Sequence, residues 1–389
     1  VSGDTVGVVA DDLTGAGDCV VQFARAGWPS HLVLGSEPPA GERAALALVT
    51  DARPQDDAAA AHATAAAVRT LADAGAGRLY LKIDSTMRGS VPGQVAGALD
   101  AWRTEHPAAF AVVCPGYPAL GRTVRDGVLR VDGTPVAESA AGRDPVTPVR
   151  DSDLTRLLPG AVRVPDRIDG ADGAKELAVR LADAGRDSDV VVVDAVDDAD
   201  LDHLAEALAL LGPLAVPVGS AGLAAALAPR WGGTTERPEP DDAVAERVVV
   251  VLSSLHEVSL RQVDELVRAG PDARTTLART PAPVPGATGR EQAERAASTL
   301  ADTVADVVAR TRPDALVLLG GDGARAVLAR LGARSVRVTG SVAEGVPLGR
   351  LVGGPADGTV VVTKAGGFGT DRTVVDVLAH LRRTVPTRR

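Results

Sequence analysis

Aromatic side chains are almost missing from this chain of 389 residues: three Trp, three Phe and two Tyr make up 2% of it. Stacking of ligand rings on an aromatic platform is therefore not its mode of binding, and its core must be built from small aliphatic residues, chiefly Ala, Val and Leu, within a hydrophobic share of 45%. Cysteine is scarce as well. Cys19 and Cys114 fall in apolar contexts in different segments, which suits buried thiols of a reducing compartment better than a disulfide framework. No run of Lys or Arg occurs and the formal net charge is -10, which excludes nucleic-acid binding through a basic surface. No stretch approaches the roughly 18 uninterrupted apolar residues of a membrane span, and a basic region followed by an apolar one is missing from the amino terminus. The expectation is a cytoplasmic protein with a small-molecule ligand. Six histidines are scattered without a His-x-x-x-His or Cys/His spacing, so a built-in zinc site is not indicated.

What is present is alternation. Short β-branched runs alternate with Ala-rich helical stretches from end to end, the pattern of an α/β protein with largely parallel sheets flanked by helices. Strands are predicted at Val6–Ala10, His31–Leu34, Ala45–Thr50, Leu79–Lys82, Ala109–Val113, Val190–Asp194, Arg247–Leu252, Ala315–Leu319, Val336–Thr339 and Thr359–Thr363, with helices between most of them. The length calls for two domains. A stretch rich in Gly, Pro and charge, without apolar period, covers 230–243 and reads as a linker between residues 1–229 and 244–389, a long surface loop being the alternative.

Two strand ends in the first half carry unusual chemistry. Val6–Ala10 breaks into Asp11-Asp12-Leu13-Thr14-Gly15 before a helix-like stretch resumes. Carboxylates at the carboxyl end of a strand, beside a helix amino terminus, sit where open α/β sheets present ligands; the alternative is that Asp12 or Thr14 merely caps the helix. The grammar repeats after Leu79–Lys82, where Asp84-Ser85-Thr86-Met87-Arg88 precedes a helix that Pro92 can initiate. Lys82, Asp84, Ser85, Thr86 and Arg88 bring two cations, a carboxylate and two hydroxyls into one turn, and an Arg can grip a carboxylate bidentately. A surface ion-pair cluster is the competing account.

The second half has three strand-end turns of another kind: Ser253-Ser254-Leu255-His256, Gly320-Gly321-Asp322-Gly323 and Lys364-Ala365-Gly366-Gly367. Glycines let backbone N–H groups approach an anion, and Lys364 can neutralise a phosphate. None matches a P-loop or a dinucleotide-binding fingerprint, which argues against a dehydrogenase.

Taken together these segments resemble the family of ATP-dependent four-carbon acid sugar kinases, which phosphorylate threonate, erythronate and related tetronates. The resemblance runs over nearly the whole chain. It rests on Ala10–Asp18, Lys82–Gly89, Cys114–Thr123 with Asp126-Gly127 and Val131–Val136, Gly219–Ala224, Ser253–Gln262, Gly320–Ala324 and Lys364–Gly369. It implies an amino-terminal domain for the sugar acid, a carboxyl-terminal domain for ATP, and transfer in the cleft between them with Mg²⁺. Asp12 is placed first and Asp84 second as the base or hydroxyl-orienting group. Arg88 is the clamp on the substrate carboxylate, and Asp11, Thr14, Lys82, Ser85, Thr86 and Arg122 are further substrate contacts. Arg122 either completes the pocket or fixes a turn. The nucleotide would meet Ser253, Ser254, His256, Gly320, Gly321, Asp322, Gly323, Lys364, Gly366 and Gly367. No metal ligand is assigned, and the assembly expected is a homodimer.

Two departures stand out. The family's first nucleotide turn usually reads Ser-Gly-Ser with a further Ser two places on, whereas this chain has Leu252-Ser253-Ser254 and His256; the second usually has Thr where Gly323 stands. Loss of those hydroxyls would weaken phosphate or metal contacts. A non-catalytic sugar-acid sensor is therefore the rival reading.

Overall fold

The structure, a computed structural model, describes residues 5–35, 38–39, 43–165, 173–232, 244–280 and 290–382. Apart from residues 230–232, the linker predicted at 230–243 lies outside them. The chain divides into two compact units, one of residues 1–28 and 38–237, the other of 29–37 and 238–389.

In the first unit seven parallel strands lie in the order Ala45–Val49, Thr5–Ala10, Ala76–Lys82, Ala215–Gly219, Phe110–Cys114, Val190–Val193 and Val162–Val164. Except in the edge strand Val162–Val164, their apolar runs are largely buried, as expected of parallel strands covered on both faces. The strand Ala215–Gly219 was not predicted. Pro217 disguises it, because proline cannot donate to a sheet ladder. It is tolerated because it pairs with Val112 on one side and lies one residue before pairing to Ala76–Lys82 begins at Val218. A small antiparallel sheet, Arg122–Arg125, Val128–Val131 and Thr134–Pro135, is attached through Asp194, whose carboxylate accepts from the N–H groups of Asp126 (2.9 Å) and Gly127 (2.8 Å).

Helices form where Ala-rich runs allow close packing. The helix Asp57–Asp73 is capped by Asp56, which accepts from the N–H of Ala59 (2.8 Å). It packs on the helix Val91–Trp102 at a distance that only glycine permits. A Cβ on Gly93 would stand 2.2 Å from the carbonyl oxygen of Asp57, and one on Gly97 2.1 Å from that of Ala61.

The second unit has a sheet of seven strands in the order Thr275–Arg279, Val248–Leu252, Ala315–Leu319, Val360–Lys364, Val346–Val352, Ser335–Ala343 and Ser30–Val33. The first four are parallel; the last three join antiparallel. The strand Ser30–Val33, predicted as His31–Leu34, thus closes a sheet made otherwise from residues that follow it by more than two hundred positions. A core of Val, Leu and Ala fills this unit, with Val250, Val317 and Val362 at its centre.

Replacing Gly97 by Ala tests the helix contact. Helix propensity alone favours Ala by about 1 kcal/mol, but the added Cβ meets backbone that cannot move without separating the helices. A net loss of stability of about 1–3 kcal/mol is expected in urea unfolding, and a gain would refute the close approach.

Candidate active site

Three strands of the first unit end side by side. Ala10 is in register with Val49 on one side and Lys82 on the other. From Thr5–Ala10 the chain returns to the sheet on the side of Ala45–Val49, and from Ala76–Lys82 it leaves on the side of Phe110–Cys114. The crevice between these two strands is a topological switch point, where sheets of this kind bind ligands. The turns that border it are Asp11-Asp12 and Ile83–Arg88.

Asp12 does cap the helix Leu13–Arg25: its Oδ1 accepts from the N–H of Gly15 (2.7 Å). Its Oδ2 accepts from the Thr14 hydroxyl (2.9 Å) and from Arg53 Nη1 (2.9 Å). The capping role and the site role therefore coincide in one carboxylate. Asp11 is buried, and Arg53 holds both its oxygens, Nε to Oδ2 and Nη2 to Oδ1, each at 2.8 Å. Asp84 accepts from the N–H (2.9 Å) and the hydroxyl of Thr86 and from Arg88 Nη2 (2.7 Å), and Arg53 Nη2 lies 3.6 Å from its Oδ2. Arg88 reaches on to Asp144 Oδ2 at 3.0 Å. Lys82 is buried and donates to the carbonyl of Ile83 (2.9 Å). Ser85 stands half-buried in the same turn.

Electrostatics separates the three carboxylates. Burial raises the pKa of Asp11 and prevails over the attraction of Arg53. For Asp12 burial acts in the same direction, but Arg53 and Lys82 together pull it below the usual range. Asp84 is desolvated too, and Arg53 and Arg88 carry it far below the usual carboxylate range. Exposure then singles out one group: the Asp12 side chain is 24% exposed against 0% for Asp11 and 9% for Asp84. Of the three, Asp12 is the ionised carboxylate with the most exposed side chain.

The sequence reading did not name Arg53, the residue that joins all three. Its signal was available. Thr50-Asp51-Ala52-Arg53 follows the strand Ala45–Val49 and precedes a helix, the same grammar as the other two turns. Arg122 lies in the small antiparallel sheet; its Nη1 donates to the carbonyl of Leu120, and its buried Nε has no hydrogen-bond partner. Among the described residues, no hydrogen bond or ion pair joins it to the aspartate cluster.

In the second unit the three turns foreseen as a group do converge. The N–H groups of Ser253 and Ser254 both donate to the carbonyl of Leu319 (2.9 and 3.0 Å), and that of Gly320 donates to the carbonyl of Lys364 (3.0 Å). Gly366 and Gly367 lie against Ser254 and His256. His256 caps the helix Glu257–Arg268 through Nδ1, which accepts from the N–H of Val258 (3.2 Å). Asp322 is exposed at the start of the helix Gly321–Arg330. Gly320 has φ 112, and a Cβ on Gly323 would stand 2.1 Å from that of Ser253. Positions 253 and 323 share one volume, so the side chain of Ser253 requires glycine at 323.

Lys364 points into its own loop. Its Nζ donates to the carbonyls of Ala365 (2.6 Å), Phe368 (2.9 Å) and Gly366 (3.3 Å) and lies 3.5 Å from the Ser259 hydroxyl. Gln262 fastens the same loop through the carbonyls of Phe368 (2.9 Å) and Thr370 (2.8 Å). Burial lowers the Lys364 pKa from 10.5 to about 8.

One unit thus carries an ionic cluster suited to a hydroxylated acid and the other a glycine-lined cradle suited to phosphates, the division of labour of a small-molecule kinase. Residues 6–227 match the family model of a sugar-binding N-terminal domain, and residues 259–374 that of a nucleotide-binding C-terminal domain. A D-threonate kinase of Bordetella bronchiseptica is 41% identical over 100% of this chain and 99% of its own length, and a 3-oxo-tetronate kinase of Methylobacterium radiotolerans is 28% identical over 96%-or-less spans of both, namely 94% of this chain and 96% of its own. A crystal structure of a Bordetella bronchiseptica protein, described as a domain of unknown function with bound citrate in a domain-swapped dimer, is 39% identical, covers 98% of this chain and 99% of its own, and superposes with a TM-score of 0.55. The chain belongs to the ATP-dependent four-carbon acid sugar kinase family.

Two outcomes follow from the second unit. Gly323→Thr should lower the melting temperature, and adding Ser253→Gly should restore most of the loss; additive losses in the double variant would refute the shared volume. For Lys364, the unfolded chain binds more protons than the folded one between pH 8 and 10.5, so stability rises with pH through that window. The urea midpoint of the wild type should gain on that of Lys364→Met from about pH 8 upward, and parallel curves would count against a desolvated ammonium.

Proposed function

We propose that this chain transfers the γ-phosphoryl group of ATP to a terminal hydroxyl, O4, of a four-carbon sugar acid such as threonate, erythronate or 3-oxo-tetronate. The observation that carries this reading is Asp12: ionised, partly exposed and fixed by Arg53, Thr14 and Gly15 at the switch point of the sheet. In the proposed reaction the bond from O4 to Pγ forms as the bond from Pγ to the β-bridging oxygen breaks. The O4 proton goes to Asp12, and ADP leaves. The transition state of such transfers is loose and the proton is lost late, so a carboxylate held below its usual pKa suffices to orient and finally accept it. Asp84, with both oxygens engaged by Thr86 and Arg88, is assigned to holding the turn.

Arg88, 33% exposed, is the proposed clamp on the substrate carboxylate, with Thr14, Ser85 and Thr86 offering hydroxyls from the same two turns. ATP is assigned to the cradle of Ser253-Ser254, Gly320–Gly323 and Gly366-Gly367. Among the described residues no three of His, Cys, Asp and Glu stand where they could hold a metal ion. The described residues alone build no metal cage, and Mg²⁺ would arrive on the phosphates of ATP. No helix among the described residues is long and apolar enough to cross a membrane. A homodimer is proposed as well, the Bordetella bronchiseptica structure being a dimer.

The test is ADP release with Mg²⁺-ATP across D-threonate, L-threonate, D-erythronate and 3-oxo-tetronate, with the position of the phosphate read by NMR. Turnover with at least one, phosphorylated at O4, is expected. Absence of both turnover and nucleotide binding would transfer the case to the sensor reading. Asp12→Asn should lower kcat by about 10²-fold or more, and Arg88→Ala should mainly raise the KM of the acid. Near-wild-type kinetics in both would overturn the assignments.

A further inference from the structure

Among the described residues, Arg53 is the one cation that reaches all three carboxylates of the cluster. It grips Asp11 through Nε and Nη2, Asp12 through Nη1, and lies 3.6 Å from Asp84. The geometry assigns Arg53 as a positioning residue for phosphoryl transfer: anchored on Asp11, it aims the carboxylate of Asp12 and keeps it charged. This rests on the reading of Asp12 as the proton acceptor.

The anchoring pair explains the aim. Asp11 accepts two parallel bonds of 2.8 Å, which fixes the plane of the guanidinium. With that plane fixed, the remaining nitrogen, Nη1, meets Oδ2 of Asp12 from one direction only, while Oδ1 of Asp12 is taken by the N–H of Gly15. Both oxygens of Asp12 therefore have set orientations before any ligand arrives. A lysine could supply the charge but not the fork.

Charge is the second part. The charged groups that act on Asp12 are Asp11 on its own turn, Arg53 from the neighbouring strand end and Lys82 from the other, while Asp84 and Arg88 bear on Arg53. Of these, Arg53 and Lys82 hold Asp12 ionised against its desolvation, Arg53 with the larger effect. Without Arg53, Asp12 would face Asp11 with one cation fewer, and its pKa would rise.

Four proteins test this: Arg53→Met, Arg53→Lys, Asp12→Asn and the double variant Asp12→Asn with Arg53→Met. Arg53→Met is expected to lose about 10²-fold in kcat with the KM values of acid and ATP within a few-fold of wild type, and to move the acid limb of its pH profile upward. Arg53→Lys should leave the acid limb near its wild-type position and still lose kcat, separating charge from aim. The double variant should be no slower than Asp12→Asn alone, because the two residues act as one unit. If Asp12→Asn is slow but Arg53→Met multiplies its loss in full, or changes only KM, the inference fails while the reading of Asp12 stands. If Asp12→Asn itself turns over like wild type, both fall. Should Arg53→Met not fold, Arg53→Lys decides: full wild-type kcat in that variant overturns the role of the fork.

Discussion

Burying like charges together is the constraint that shapes the first unit. Asp11 and Asp84 are almost wholly removed from solvent, and Asp12 lies beside them. An uncompensated carboxylate in such a place costs several kcal/mol and would simply take up a proton. Arg53 offsets that cost, and to do so its turn has to follow a strand adjacent to Thr5–Ala10. The parallel pairing of Ala45–Val49, Thr5–Ala10 and Ala76–Lys82 delivers the required alignment, because equal register ends all three strands at one level. The order of the strands and the charge balance of the cluster are two aspects of the same requirement.

A shortage of large side chains is the other thread. With so few aromatics, helices and loops approach one another to distances set by backbone. Gly93 and Gly97 bring two helices into near contact, and Gly320, Gly323 and Gly366 do the same for the turns of the cradle. In the cradle, close approach leaves no room for error: the volume at 253 and 323 can be filled from one side only. It is filled from 253, whose Oγ donates to the carbonyl of Leu319 (2.8 Å).

Much of this was legible in the chain before any coordinates. Buried parallel strands announce themselves as β-branched runs, and the turns that follow them stand out by charge or glycine, so Asp11-Asp12, Lys82–Arg88 and the three cradle turns were all found. What escaped had physical reasons. Pro217 masked a central strand that tolerates it through one-sided pairing at that point. Arg53 was overlooked because its turn carries neither paired carboxylates nor a cluster of glycines, the features that marked other turns. The direction of Lys364 could not be foreseen, since spacing places a lysine at a loop but does not say whether its ammonium turns outward or into the loop's own carbonyls.

The strand Ser30–Val33 has a consequence in time. Its partner in the sheet, Ser335–Val338, comes about 300 residues later, which at about 5–20 residues per second amounts to roughly 15–60 s of synthesis. During that interval the segment's partners in the sheet of the second unit do not yet exist. Until they emerge, Ser30–Val33 is a strand with an open edge, free to pair with any chain that offers a matching one.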